Sequence, residues 1–320
     1  MAKYAIYGFF FSKDFSTKRA SFSVINEDIK FYDKVKKTQD RKNYNLSGYI
    51  ETSESDLEEF VFTMEAVLSF VQQQSVRLVE ICSDNIAEPC YECSFLRHGS
   101  GAPFAMHQDI QEEIIDKLYE KLLDYNDPCN LKTENSPFDN QHNFEFKSFV
   151  YKTLEPMKMR NYSIEIPFYL YFSGLEAFCE QYIKSFITDL KINEKDVRQN
   201  IAPVLEKLGI NYIFADWPDG LFNWRNKKVD KDEFLKLSIS TYSNLRNSLF
   251  HQNLFIASTE TSTKFKKIDG KQIHPEETVK ITDYDYYLHR LCDVVILKYI
   301  GLQNQRLDCS KWYTRFPLIS

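Results

Sequence analysis

Residues 167–190 read PFYLYFSGLEAFCEQYIKSFITDL. Within this stretch Phe168, Phe172, Leu175, Phe178, Tyr182, Phe186 and Leu190 recur at intervals of three or four. That is the spacing of one face of an α-helix, and a stripe so aromatic must be buried against other helices. Downstream, residues 197–208 form a short helix closed by Gly209 as its C-cap. Asp216-Trp217-Pro218-Asp219-Gly220 is a turn. A further helix starts at Asp230 or Asp232 and carries Phe234, Leu237, Thr241, Tyr242, Leu245 and Leu249 on its apolar face. A polar loop over 258–275 leads to a last helix from Asp283, with Tyr284, Tyr287, Leu288, Leu291, Val295, Tyr299 and Leu302 at helical spacing. Residues 161–320 are therefore expected to be an all-α domain.

Upstream the pattern changes. Residues 4–11, 20–25, 49–50 and 76–81 are dense in aromatic and β-branched residues, as strands are. Two helices interrupt them. Ser53 or Ser55 caps the first, with Glu58 completing a capping box three residues after Ser55, and Phe60, Met64, Val67, Leu68 and Val71 follow at helical spacing. The second runs from about Asp109 to Tyr125 on Ile110, Ile114, Leu118 and Leu122, and stops at Asn126-Asp127-Pro128. The fold class is thus α+β. The expected division is a β-rich sensing or regulatory domain over 1–128, a loop or linker over 129–160, and the helical domain over 161–320.

Composition bounds the function. The chain has 320 residues, 43% hydrophobic and 27% charged, which suits a globular protein able to bury a core. With 9 Gly and 10 Pro it is neither collagen-like nor a linker, and 26 Phe with 20 Tyr exclude a disordered chain. The net charge of −6 excludes a broadly cationic nucleic-acid coat but leaves room for a local basic groove. Residues 1–160 hold 19 Lys and Arg against 26 Asp and Glu, whereas residues 161–320 hold 21 against 20, so the second half would not repel a phosphate backbone. Two basic clusters lie there, Trp224-Arg225-Asn226-Lys227-Lys228 and Lys264-Phe265-Lys266-Lys267. They read either as solvated loops or as an RNA-binding face on which Trp224 and Arg225 stack a base beside Lys227 and Lys228. Trp224 equally suits a core position.

No run approaches the roughly 20 apolar residues of a bilayer span, and the N-terminus lacks a targeting pattern, so a cytoplasmic protein with no membrane partner is expected. Seven Cys without a secretory signal are expected as free thiols. Cys90 and Cys93 form one C-x-x-C, but His98 and His107 stand nine apart and supply no second zinc pair, so neither metal nor cofactor is expected.

The chemistry concentrates in Arg246-Asn247-Ser248-Leu249-Phe250-His251. Asn247 and His251 are four apart and share a helix face, with Arg246 beside them. An imidazole takes or gives a proton near neutral pH, a guanidinium grips a phosphate with two teeth, and an amide fixes either one. These parts suit RNA cleavage without metal. The plain alternative is a helix end whose basic residues answer the dipole. Glu176 and Glu180, four apart on the aromatic helix, read as solvated carboxylates or as supports that orient His251.

The string R-N-x-x-x-H near the end of a helix, together with the order of helices around it, resembles the HEPN family (higher eukaryotes and prokaryotes nucleotide-binding). The likeness covers about residues 161–310. Tyr7-Gly8-Phe9 and the passage from Leu68 to Val76 are similar to the β-rich domain that precedes HEPN in ApeA-like anti-phage proteins. The resemblance implies a helical bundle that homodimerises, with Arg246, Asn247 and His251 of each copy lining one cleft. It implies metal-independent endoribonuclease activity in abortive infection or a toxin system, with RNA as substrate and a phage-derived trigger or inhibitory partner at the N-terminal domain. Some HEPN toxins carry a modifiable Tyr two residues after the His; here that position is Asn253, so that control is not implied. Two rival readings stay open: a non-catalytic HEPN-like module that binds RNA, nucleotide or protein, and a structural dimerisation protein.

Overall fold

The computed structural model describes residues 1–9, 11–24, 46–81, 108–124, 126–129, 146–159, 165–187, 189–193, 198–210, 239, 242–243, 246–247, 256–257 and 279–302. The chain divides into two compact units, Met1–Leu123 and Asp124–Ser320. The first carries an antiparallel sheet and the second is mostly helical, which makes the protein α+β.

In the first unit the strands are β1 (Ala2–Tyr7), β2 (Phe15–Ser16), β3 (Ala20–Val24), β4 (Leu46–Thr52) and β5 (Arg77–Glu80). They form one sheet in the order β2-β3-β4-β1-β5. The register sets Phe15 opposite Phe22, Phe22 opposite Ile50, Ile50 opposite Tyr4, and Tyr4 opposite Glu80. The first four make a buried row across the sheet, and the rings of Phe15 and Phe22 stack at 4.2 Å. Cross-strand pairs of this kind are the unit of sheet stabilisation. A one-residue slip would turn the whole row to the other face, so the aromatics fix the pairing.

Helix α1 (Leu57–Gln72) joins β4 to β5, with Phe60 against Tyr4 at 6.2 Å between ring centroids. Its cap differs from the one the sequence suggested. Asp56, not Ser53 or Ser55, accepts the hydrogen bond from the Glu59 amide at 3.0 Å. A carboxylate is the better partner for the positive helix end, and placing it at Asp56 starts the helix one residue later than a Ser55 cap would. At the other end Gln73 takes a left-handed conformation, φ 56°, and its side chain donates to the Phe70 carbonyl. The Ser69 hydroxyl accepts from the Val76 amide and Glu65 accepts from the Leu78 amide, which steers the chain directly into β5. Helix α2 (Gln108–Leu122) buries the predicted stripe of Ile110, Ile114, Leu118 and Leu122 and meets α1 through Tyr119 and Phe60. Burial raises the Tyr119 hydroxyl to about 12, with nearby Glu54 adding to the rise.

The second unit holds α3 (Phe146–Met159), α4 (Glu165–Phe186), α5 (Arg198–Lys207) and α6 (Ile281–Tyr299). Helix α3 lies where a loop or linker over 129–160 was expected, and that expectation is corrected for residues 146–159. Phe146, Phe149, Val150 and Leu154 give it an apolar face, which the Asn-rich and Asp-rich sequence before it obscured. Phe149 stacks on Phe178 of α4 at 4.9 Å. The two helices approach so closely at Gly174 that a Cβ there would stand 3.2 Å from Lys152 and Phe149. Helix α5 ends as predicted at Gly209, φ +71°, where the Ile210 amide reaches back to the Leu205 carbonyl.

Helix α6 is buried on every side from Leu288 to Leu297. Tyr299 at its end packs against Phe146, Phe178 and Tyr182 and hydrogen-bonds to Asp127. Asp127 also accepts from the Cys129 amide, while Gln181 and Ser185 of α4 donate to the Pro128 carbonyl, so residues 126–129 are pinned to both helices. The second unit is not purely α: Ile256–Ala257 pairs antiparallel with Val279–Lys280. Four residues of hairpin ladder carry too little alternation to show in sequence.

Phe178 touches Phe146, Phe149, Tyr182 and Tyr299, so it is the centre of the second unit's aromatic core. Phe178→Ala should cost about 3–5 kcal/mol. Urea unfolding followed by tyrosine and tryptophan fluorescence measures this, and a loss under about 1 kcal/mol would contradict the packing described.

Candidate functional site

The site builds from helix α4. Phe168, Phe172 and Glu176 lie four apart and share a face. Across from them, residues 239, 242, 243, 246 and 247 are helical. Ile239, Tyr242 and Ser243 are buried and Arg246 is half-buried, which is the i, i+3, i+4, i+7 pattern of one inward face. Phe168 meets Tyr242 at 6.2 Å. The Arg246 guanidinium lies over the Phe172 ring, 5.3 Å from its centroid. One nitrogen, Nη2, donates to both oxygens of Glu176, at 3.2 and 3.0 Å.

This pair is neither a surface ion pair nor a sealed one. Each side chain keeps 22% of its surface exposed. Burial pushes the Glu176 carboxyl above the usual glutamate range, Arg246 pulls it back, and Glu180 one turn away pushes it up again. The aromatic face of Phe172 adds a cation–π contact that helps hold the charge of Arg246. Among the described residues, Nη1 and Nε of Arg246 make no hydrogen bond. Glu176 thus anchors the guanidinium through one of its three nitrogens.

Of the residues that sequence singled out, Arg246, Asn247, Glu176 and Glu180 are described. His251, Trp224, Arg225, Lys227 and Lys228 lie outside the described residues, as do Cys90 and Cys93. Glu176 was expected as a solvated carboxylate or as a support for His251. It is not solvated but a half-buried partner of Arg246, while His251 lies outside the described residues. Asn247 is half-buried next to it. Glu180 makes no ion pair or hydrogen bond among the described residues and acts on the site through its charge.

Two features escaped the sequence reading. Phe172 serves as the platform under Arg246, although its position in the stripe marked it only as core. The second is a buried polar cluster on α6. His289 stacks on Tyr171 at 4.7 Å and nearly parallel, and Asp293 lies 3.6 Å from both His289 and Arg290. Its signal was the string His289-Arg290-x-x-Asp293 inside an apolar helix, since buried charges occur where they are paired. All three side chains are under a tenth exposed, so the cluster is closed to substrate.

Cys129, Cys179 and Cys292 are free thiols in the core of the second unit, and burial holds Cys179 and Cys292 well above the usual thiol range. Thiols in that state are poor nucleophiles and poor ligands. Among the described residues no three His, Cys, Asp or Glu side chains gather as a metal site, and no helix is long and apolar enough to cross a membrane. Neither a family model, nor a curated protein, nor a solved structure matches the chain.

The Glu176–Arg246 pair yields a pH-dependent outcome. A carboxyl raised in the folded state favours folding at acid pH, and that contribution is lost as pH climbs through its folded value. Removing Arg246 takes away the main downward pull and enlarges the loss. Arg246→Ala should therefore destabilise by roughly 1–3 kcal/mol at neutral pH, and distinctly less on the acid side of the ordinary glutamate range. Thermal melts across that range check it; a penalty that is flat with pH would show that Glu176 does not depend on Arg246.

Proposed function

We propose that the chain is a metal-independent endoribonuclease of the HEPN kind, acting in anti-phage defence, abortive infection or a toxin system. Arg246, Asn247 and His251 are its reacting group. The observation that carries the proposal is the state of Arg246: its guanidinium is fixed by Glu176 over Phe172 and half-exposed, with Nη1 and Nε in no hydrogen bond among the described residues.

The chemistry follows from the residue types. The His251 imidazole, a side chain suited to proton transfer near neutral pH, takes the proton from a ribose 2′-hydroxyl. The 2′-oxygen bonds to phosphorus and the bond to the 5′-oxygen breaks, with the proton delivered to that leaving oxygen. Arg246 neutralises the charge that builds on the non-bridging oxygens. The products are a 2′,3′-cyclic phosphate and a 5′-hydroxyl. In this proposal the protein is a homodimer whose two copies of the motif share a cleft, Trp224, Arg225, Lys227 and Lys228 guide the strand, and the first unit governs when the nuclease acts.

The rival is a module that binds RNA, nucleotide or protein without cutting it. It is favoured by the same ion pair, since a guanidinium already bound to a carboxylate is also a structural latch. Incubation of total RNA with the protein in excess EDTA separates the two. Cleavage should persist in chelator and fall by about 100-fold or more in His251→Ala. Glu176→Gln should keep RNA binding while altering cleavage, because an amide still accepts from Arg246 but no longer offsets its charge. Binding without cleavage by the wild type would establish the module instead. Cleavage undiminished in His251→Ala would remove the nuclease assignment.

A further inference from the structure

The first unit carries an open groove between the start of α1 and the β1–β5 pair. It is lined by Tyr4, Leu57, Val61 and Phe62 together with Glu58, Glu65 and Glu80. Phe62 is 55% exposed, the largest exposure of any bulky apolar side chain after Met1 among the described residues of this unit. A lone exposed Phe is unremarkable, but one set in an apolar groove with carboxylates around it is a candidate contact surface.

The carboxylates distinguish this groove from the rest of the unit. Elsewhere among the described residues of this unit acidic side chains are answered: Glu51 by Lys3, Glu54 by Arg19, Glu120 by Lys18, Glu113 by Lys117. Asp14, Asp56 and Asp116 accept backbone amides. Glu65 in the groove is itself taken by Arg77 and the Leu78 amide. Glu58 and Glu80 are exposed and make no ion pair or hydrogen bond among the described residues. Both line the groove. Glu80 stands opposite Tyr4 in the register, and its charge adds to the burial that raises the Tyr4 hydroxyl. The positive end of α1 gives Glu58 a local reason to be acidic, but Glu80 has no such reason.

We propose that this groove docks a basic peptide segment, with an aromatic or large aliphatic side chain seated against Phe62, Val61 and Leu57 and with Arg or Lys side chains meeting Glu58 and Glu80. A small monovalent cation would leave the apolar wall wet, and an acidic or neutral partner would leave two carboxylates facing it without compensation. Polar rims of this kind set encounter rate and salt dependence, while the buried apolar anchor sets most of the affinity. The proposal is independent of the nuclease assignment.

The test uses the full chain and a fluorescein-labelled, amidated octapeptide in which arginines alternate with leucines around a central phenylalanine. A matched octapeptide with glutamates in place of the arginines is the control, and anisotropy is read at low and high salt. The arginine peptide should bind, the glutamate peptide should not, and salt should weaken the complex. Phe62→Ser should weaken binding at least about tenfold. The double variant Glu58→Gln/Glu80→Gln should weaken it and flatten the salt dependence. All the altered side chains are exposed, and unchanged melts confirm that the variants fold. Failure of the wild type to bind, equal binding of the two peptides, or binding that survives both variants would each overturn the proposal.

Discussion

A carboxylate set among aromatic rings has to be answered. Glu176 follows Phe168 and Phe172 on the face of α4 that looks toward residues 239–247, and burial opposes its charge. Arg246 is the answer within reach, and it arrives with a specific geometry: one nitrogen shared between both carboxylate oxygens, the guanidinium carbon 5.3 Å from the centre of the Phe172 ring. Lys would not serve in the same way, because its ammonium is a hydrated point charge with no planar fork to lay on a ring. Among the described residues, Tyr242 on Phe168 and Arg246 on Glu176 hold this segment beside α4. The first is apolar and insensitive to pH; the second is electrostatic and falls away as Glu176 takes a proton.

The two units handle charge differently. In the first, ion pairs sit at the rim of a sheet and helices whose interior is apolar, and most of them are too exposed to contribute much. In the second, charge goes inside. His289, Arg290 and Asp293 occupy the fully buried turn of α6, and Tyr171 of α4 covers the imidazole. Replacing such a cluster with apolar residues is often neutral, whereas removing one member is costly. What ties this turn of α6 to α4 is the imidazole stacked on Tyr171 and the Cys292 thiol donating to the Tyr171 carbonyl. Phe168, Phe172 and Glu176 lie on the neighbouring face of the same α4, so the register of α6 and the position of the site share one support.

Much of the fold was legible because it rests on periodicity. The stripe of α2, that of α4 from Phe168 to Tyr182, the strands around Tyr4 and Phe22, and the Gly209 cap are found where the sequence put them, whereas α4 ends at an exposed Phe186 and leaves Leu190 outside the helix. What escaped has physical reasons. Helix α3 begins directly after a polar stretch, and composition averaged over 129–160 hid its four buried apolar residues. The α1 cap moved from Ser55 to Asp56 because adjacent capping residues compete and a carboxylate wins at a positive helix end. The two-residue ladder of Ile256–Ala257 with Val279–Lys280 is set by tertiary contact, which no local window registers.

Sequence singled out Arg246 and Glu176 separately and did not show that they pair. Sequence spacing says that Asn247 and His251 share a helix face; it says nothing about which acidic residue on another helix meets Arg246. That partner decides what the guanidinium can do. An unrestrained Arg loses side-chain entropy when it grips a phosphate, whereas one already held by Glu176 and Phe172 has given up that freedom on folding. The same restraint narrows the choice of ligand: Nη2 is held by Glu176, and an oxyanion approaches at Nη1 or Nε, which no hydrogen bond engages among the described residues. An oxyanion arriving there meets a donor whose direction is set before binding. The nearby charges of Glu176 and Glu180 oppose any anion that comes in from the other side.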